Sequence, residues 1–337
     1  MSVLFQGAGA IGIAGAALFT DDHEVAVVSR AAGPHGRSSF PRRVSTFDPT
    51  DCNGWPVTRV AATRRVVITD WAAAAAHGRW DLIVLTTRPG DLDAEVVSAI
   101  RDIAPAFIAT TSQVEGDLER VQAVFPATQA VIFGPAFLSE RLDPGPPAEV
   151  VRTAGNGVGE VDRGVRTAGG REGEAMREVE PGREVTYWAP VGAPRFLVAG
   201  PSTAVRVLVR RLGRLALPVP MEAVLLPPTV FIPFVAELSI RDGSWAALKS
   251  HLDRPAKAAS EAVRNRLGVP IPVFGIAAHV VLEALERIVP IDVTNYAGRH
   301  FARHVGQTRD MLAGWAESAD SAHCLRELIA ALDALDD

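Results

Sequence analysis

Apolar runs and stretches of helical period alternate over roughly the first two thirds of the chain. Residues 3–6 and 24–28, RRVVITD (64–70), DLIVLTT (81–87), AFIATTS, QAVIFGPAF and RFLVAG (195–200) read as strands. GAGAIGIAGAALF, WAAAAAHGRW (closed by His77 and Gly78), DLDAEVVSAIRDIA, GDLERVQAVF and STAVRVLVRRLGRLAL read as helices between and after them. DLIVLTT is continuously apolar, as a strand buried on both faces must be. The alternation predicts a parallel α/β sheet. Two segments break the pattern. Residues 31–57 are rich in Gly, Pro, Ser and Arg and read as loop. Residues 151–185 are Gly- and Arg-rich with few large apolar residues, compatible with antiparallel strands on long turns or with a flap.

Beyond residue 219 the period is helical throughout, in VFIPFVAELSI, SWAALKSHL, PAKAASEAVRNRLG, VFGIAAHVVLEALERIV, VTNYAGRHFARHVGQTRDMLAGWAES and SAHCLRELIAALDAL. The expected organisation is an α/β domain over 1–218 followed by an all-α domain over 219–337. No repeat of fixed period is visible.

Composition narrows the classes. The chain has 337 residues, long enough for two domains, with 48% hydrophobic and 22% charged residues. It holds no uninterrupted apolar run of about 18 residues, so no membrane partner is expected. The N-terminus enters a strand without a basic leader, and a cytoplasmic protein is expected. A net charge of −5 argues against nucleic acid as a partner. Cys52 and Cys324 form no C-x-x-C pair and read as free thiols. Lys249 and Lys257 are the only lysines among 34 basic residues. Chemistry that needs an ε-ammonium must use one of these two, because arginine does not give up its proton near neutrality.

The opening SVLFQGAGAIGIAGAALFTDDHEVAVVSR carries the sharpest signal. Gly7, Gly9 and Gly12 fit G-x-G-x-x-G between a strand and a helix, with a second strand ending about twenty residues later. Gly7 allows the tight turn, Gly9 lets the backbone approach a pyrophosphate, and Gly12 lets helix and strand pack closely. Ala8, Ala10 and Ile11 complete the loop, whose helix N-terminus offers N–H groups to phosphates. The second strand ends in Ser29 and Arg30, where NAD-selective sites carry an acid. Arg30 suits a 2′-phosphate, so the expected cofactor is NADP(H) in a Rossmann-type domain.

This stretch resembles the ketopantoate reductases, NADPH-dependent enzymes that reduce a 2-keto acid. DLIVLTTRPGDLDAEVVSAI resembles that family's third Rossmann segment, and TTSQVEGDLERV its next loop. The resemblance implies that Thr87, Arg88 and Gln113 border the nicotinamide, Arg88 where the family has lysine and Gln113 where it has asparagine. It implies a Rossmann domain followed by a helical one, with the active site in the cleft between. It also implies a catalytic lysine and asparagines on the first helix of the second domain. The corresponding PVPMEAVLLPPTVFIPFVAEL contains neither residue, and Pro227-Pro228 is expected to interrupt helical hydrogen bonding there. Ordinary ketopantoate reduction is therefore not expected.

Polar density in the second domain peaks at DVTNYAGRHFARHVGQTRD (292–310). On one helix, Tyr296, His300, His304 and Gln307 would form a stripe. His300 suits proton transfer and Asn295 substrate orientation, against the plainer reading of a polar interface. His300 and His304 lack the acid of an H-E-x-x-H site, and no metal is expected. Glu237 either faces the cleft or is a structural buried carboxylate. The expected function is NADPH-dependent reduction of a carbonyl or imine in a small molecule. The alternative is a protein that keeps the cofactor fold without redox chemistry. Another two-domain dehydrogenase, of opine or β-hydroxyacid type, would share only the first domain. The apolar face over 273–289 makes a homodimer a candidate.

Overall fold

The computed structural model describes residues 1–29, 44–46, 67–141, 185–189, 192–289, 292–302, 305–317 and 322–335. The first domain alternates as expected through β1 (Ser2–Gln6), α1 (Ala10–Phe19), β2 (Glu24–Val28), β3 (Val44–Thr46), β4 (Val67–Thr69), α2 (Trp71–Ala76), β5 (Leu82–Leu85), α3 (Ala94–Ile103), β6 (Phe107–Thr110), α4 (Asp117–Val124) and β7 (Gln129–Pro135). It continues with β8 (Leu138–Arg141), β9 (Val185–Trp188), β10 (Phe196–Ala199), α5 (Ser202–Leu212) and β11 (Ala216–Pro218). The main sheet has 8 strands in the order β11-β10-β7-β6-β5-β1-β2-β4. The chain reverses its winding between β1 and β5, the switch point at which doubly wound sheets bind ligands.

Three details differ from the sequence reading. β10 runs antiparallel to β7, with Phe196 opposite Pro135, so the sheet is not wholly parallel. The span 31–57, expected as loop, contributes β3, which pairs with β9 in a second sheet of 3 strands, β3-β9-β8. The helix expected to run through 217 stops at Leu212, where Gly213 takes a positive φ of 59° and turns the chain into β11. Most of 151–185 lies outside the described residues; Val185 opens β9.

The small sheet explains why α1 is apolar all round. Its Ile13, Ala14, Ala16, Ala17 and Phe19 are buried in one core with Phe5 and Phe196 of the main sheet and Phe137, Val185 and Tyr187 beside the second. A helix covered on both sides needs no polar face.

The second domain is all helical. It comprises α6 (Met221–Ile240), α7 (Trp245–Lys249), α8 (Asp253–Leu267), α9 (Gly275–Ile288), α10 (Val293–Ala302), α11 (Val305–Glu317) and α12 (His323–Asp333). α6 runs on through Pro227, Pro228 and Pro233, although none of the three has an N–H to donate to the helix. The Thr229 hydroxyl donates to the Leu226 carbonyl at 2.6 Å within this stretch. α6 is long and apolar enough to span a membrane, yet 61% of its most apolar window is buried in the protein. Its Ala236 joins a core with Ala258, Leu312, Trp315, Leu325 and Leu328 from α8, α11 and α12. The segment 293–318, read as one helix, forms α10 and α11 on either side of 303–304, which lie outside the described residues.

Candidate functional site

The loop after β1 has the shape its glycines require. Gly7 takes a φ of +98°, and a Cβ there would stand 2.5 Å from Thr86 Oγ1. A Cβ on Gly12 would stand 2.0 Å from the Gly7 carbonyl oxygen. Both positions exclude a side chain. Gly9 differs: it is exposed, caps the N-terminus of α1, and has open space where a Cβ would project. Ala8, Ala10 and Ile11 follow the same turn. No acidic residue lies in the first turn of α1. First-turn N–H groups with no partner inside the helix, partial positive charge and room for a ligand thus coincide at Gly9. These are the requirements of a dinucleotide pyrophosphate, and the loop fits one.

Across the switch point, the end of β5 is tied to the end of β1. Thr86 Oγ1 donates to the Gln6 carbonyl at 2.7 Å, and Thr87 Oγ1 donates to the buried Gln6 side chain at 3.0 Å. Ser29 closes β2 through its N–H to the Thr69 carbonyl, at 3.1 Å. Arg30 lies outside the described residues. Gln113 follows β6, its Nε2 3.6 Å from where a Cβ on Gly134 of β7 would sit. Val224 of α6 is 3.1 Å from the same point, so α6 begins against the end of the sheet with an apolar side chain.

Arg88 does not reach freely into the crevice. Its Nε donates to Asp117 Oδ2 at 3.4 Å, and its Nη1 donates to Asp310 of α11. Asp117 is 2% exposed and also accepts from the Ser112 hydroxyl at 2.6 Å. Burial by itself would lower the Arg88 pKa, but the two carboxylates outweigh it and hold that pKa above its usual value. Arg88 is thus a bridge between domains, and Asp117, Ser112 and Asp310 are its partners. Sequence reading had not singled out these three; Asp310 lies 222 residues from Arg88 in the chain. Arg266 of α8 crosses the same boundary to Glu115 at 3.3 Å.

α10 runs along this boundary. The Tyr296 hydroxyl donates to the Ser139 carbonyl of β8 at 3.3 Å, and the next helix carries Asp310. The side chains of Asn295 and His300 lie outside the described residues, as does all of His304. Glu237 resolves to the structural reading. Fully buried, it accepts from Arg241 Nε at 3.0 Å and from Arg254 Nε and Nη2 at 2.8 and 2.6 Å.

No protein-family model matches the chain, and a search of curated proteins finds no match. Solved structures do match. The 2-dehydropantoate 2-reductase from Methylococcus capsulatus superposes with a TM-score of 0.60 at 15% identity, covering 100% of this chain and 97% of that one. That from Geobacter metallireducens GS-15 gives 0.58 at 13% identity over 99% and 100%. This chain has the ketopantoate reductase fold. D-mandelate dehydrogenase, solved with NADH, matches at 0.57 and 13% identity over 100% and 99% of the two chains. The ketopantoate reductase fold therefore extends over the whole chain, helical domain included.

Proposed function

We propose that the protein is a divergent ketopantoate reductase-like oxidoreductase that binds NADP(H) and reduces a carbonyl or imine other than ketopantoate. The observation that carries this reading is the loop Gly7–Gly12, closed to side chains at Gly7 and Gly12 and open at Gly9. Two neighbours in fold are 2-dehydropantoate 2-reductases and a third is a dehydrogenase solved with NADH, which supports the class of chemistry. Arg30, after β2, is assigned to the 2′-phosphate, and Thr87 and Gln113 to the nicotinamide side. When bound, the cofactor would supply the hydride. The protein must then orient the acceptor and deliver one proton to its oxygen or nitrogen. We assign orientation to Asn295 and the proton to His300, because α10 runs along the domain boundary and no lysine stands on α6.

The test is calorimetric titration with NADPH and NADH of the wild type, Arg30→Ala and Gly9→Ala. A Cβ at Gly9 meets nothing in the protein, so Gly9→Ala should melt as wild type yet bind NADPH about tenfold or more weakly, having lost one close phosphate approach. Unaltered NADPH affinity in that variant would refute the loop assignment. Turnover of keto acids or imines that survives Asn295→Ala and His300→Ala unchanged would refute the catalytic assignment.

The bridge made by Arg88 favours a second reading. Where the family resemblance implies a lysine near the nicotinamide, this chain has a cation already engaged by two carboxylates. A protein that binds NADP(H) without redox turnover fits that arrangement. NADPH binding with no NADPH oxidation across a substrate panel would select it.

A further inference from the structure

α6, α7, α8 and α9 border a cleft of about 660 Å³ at the C-terminal end of α6. Its size is that of a small-molecule site, about 300–1,000 Å³. All the residues lining it fall between Glu237 and Val280, in the helical domain. Val224, near the other end of α6, is the residue that meets the sheet. At about 1.5 Å per residue, Glu237 lies roughly 20 Å further along the helix, away from the crevice between the domains. The cleft has two kinds of wall. Leu252, Ile276 and Val280 make an apolar side, with Ile276 83% and Val280 64% exposed. Arg241 and Arg254 make a cationic side, their side chains 34% and 30% exposed.

The cationic side is held from beneath. Glu237, fully buried, accepts from Arg241 Nε on Oε1 at 3.0 Å and from Arg254 Nε and Nη2 on Oε2 at 2.8 and 2.6 Å. One carboxylate thus fixes two guanidinium groups and neutralises only one of them. Both Nη groups of Arg241 and Nη1 of Arg254 have no acceptor among the described residues. Fixed, planar guanidinium groups with spare N–H donors suit an anion that only accepts. Lys249 also lines the cleft, but Glu283 at 2.6 Å and Glu286 at 2.9 Å engage it. His251 and His279 add no negative charge. The other acid in the lining, Asp253, is exposed and stands beside the first turn of α9, its Oδ1 3.2 Å from where a Cβ on Gly275 would sit. The helix N-terminus there offsets its charge. Asp253 also sets a limit on the ligand. A phosphate monoester, at about −1.5 to −2 near pH 7, brings more charge than the arginines leave over and meets this acid. A carboxylate, with a single charge, matches the surplus.

We propose that this cleft binds a small monocarboxylate with an apolar body, its carboxylate on Arg241 and Arg254 and its chain against Ile276 and Val280. The inference does not rest on the cofactor assignment, which concerns the other domain. The test uses octanoate, titrated by calorimetry into the full chain. The wild type should bind it with a dissociation constant of about 0.1–1 mM. Octanol, the same chain without the charge, should bind at least about tenfold more weakly, and octyl phosphate no more tightly than octanoate. Arg241→Gln should weaken octanoate about tenfold while Arg254 still neutralises Glu237 and keeps the fold. Ile276→Glu, at an exposed position, should melt as wild type and weaken octanoate at least about tenfold by setting a like charge in the cleft; it decides the matter if Arg241→Gln fails to fold. No octanoate binding by the wild type would overturn the proposal. So would octanol binding as tightly as octanoate, or an octanoate affinity unchanged in either folded variant, which would place the acid elsewhere on the chain. Octyl phosphate binding at least about tenfold more tightly than octanoate would overturn the choice of a carboxylate.

Discussion

Replacing Arg88 by methionine separates a structural bridge from a catalytic cation. The substitution keeps most of the apolar stem and removes the guanidinium. It leaves Asp117, 2% exposed, with the Ser112 hydroxyl 2.6 Å away and no opposite charge beside it. Breaking a fully buried ion pair from one side costs about 3–5 kcal/mol. Here the Nε–Oδ2 separation is a long 3.4 Å and Arg88 is 22% exposed, so the cost falls below that scale, at about 2–3 kcal/mol. Asp310 is 48% exposed, and Asp310→Asn should cost under about 1 kcal/mol. For a domain of this size the first loss corresponds to about 4–12 °C in melting temperature and the second to under about 4 °C. Circular dichroism melts of wild type, Arg88→Met, Asp310→Asn and the double variant measure both, with the double variant isolating the coupling across the boundary. An Arg88→Met protein that melts as wild type while NADPH turnover collapses would refute the bridge and return Arg88 to the chemistry.

Three further outcomes follow from other packed groups. Burial, helped by the N-terminal amino group, lowers the His23 pKa from 6.5 in the folded chain. The native state then binds fewer protons than the unfolded one, so the His23 contribution is intact above about pH 6.5 and is lost as pH falls through the lower folded value. His23→Phe, which keeps a ring beside Phe19 (centroids 5.6 Å apart in the wild type), should flatten the fall in melting temperature between about pH 7 and about pH 5; an unchanged slope refutes the assignment. Glu237→Gln should cost about 2–4 kcal/mol in urea unfolding, because it leaves Arg241 and Arg254 facing a neutral amide; a neutral effect would show that both arginines simply swing into water. Gly298→Ala should cost about 1–3 kcal/mol, since its Cβ would stand 2.9 Å from the Gly243 carbonyl oxygen, where α10 meets the end of α6; stability at wild-type level would mean that the two backbones separate freely.

Local information reached far in this chain. The glycine loop was legible because its residues, the strand before it and the helix after it are contiguous, and each glycine has a steric reason that needs no tertiary knowledge. Asp70 and Asp93, bonded to the N–H groups of Ala73 and Val96, start α2 and α3 where the polar-to-apolar change falls. What escaped was set at long range. Nothing local to FLVA fixes β10 antiparallel to β7; its direction follows from where the chain returns to the sheet. Three residues, Val44–Thr46, become a strand only because β9 is beside them. The partners of Arg88 lie 29 and 222 residues away, and the sequence shows Asp117 and Asp310 as ordinary surface acids. At Pro227-Pro228 the local loss of hydrogen bonds is legible in the sequence, while the continuation of the helix through it is decided by tertiary packing.

That override has a consequence for how the second domain assembles. Three prolines deprive α6 of three amide donors, and each works against the helix from inside. As an excised peptide, α6 would be a coil. In the folded domain its packing against α8, α11 and α12 offsets that cost. α6 and the helices around it are then expected to open as one cooperative unit. Deleting α12, which hands Leu325 and Leu328 to the shared core, should then strip hydrogen-exchange protection from the amides of α6 as completely as from its own neighbours.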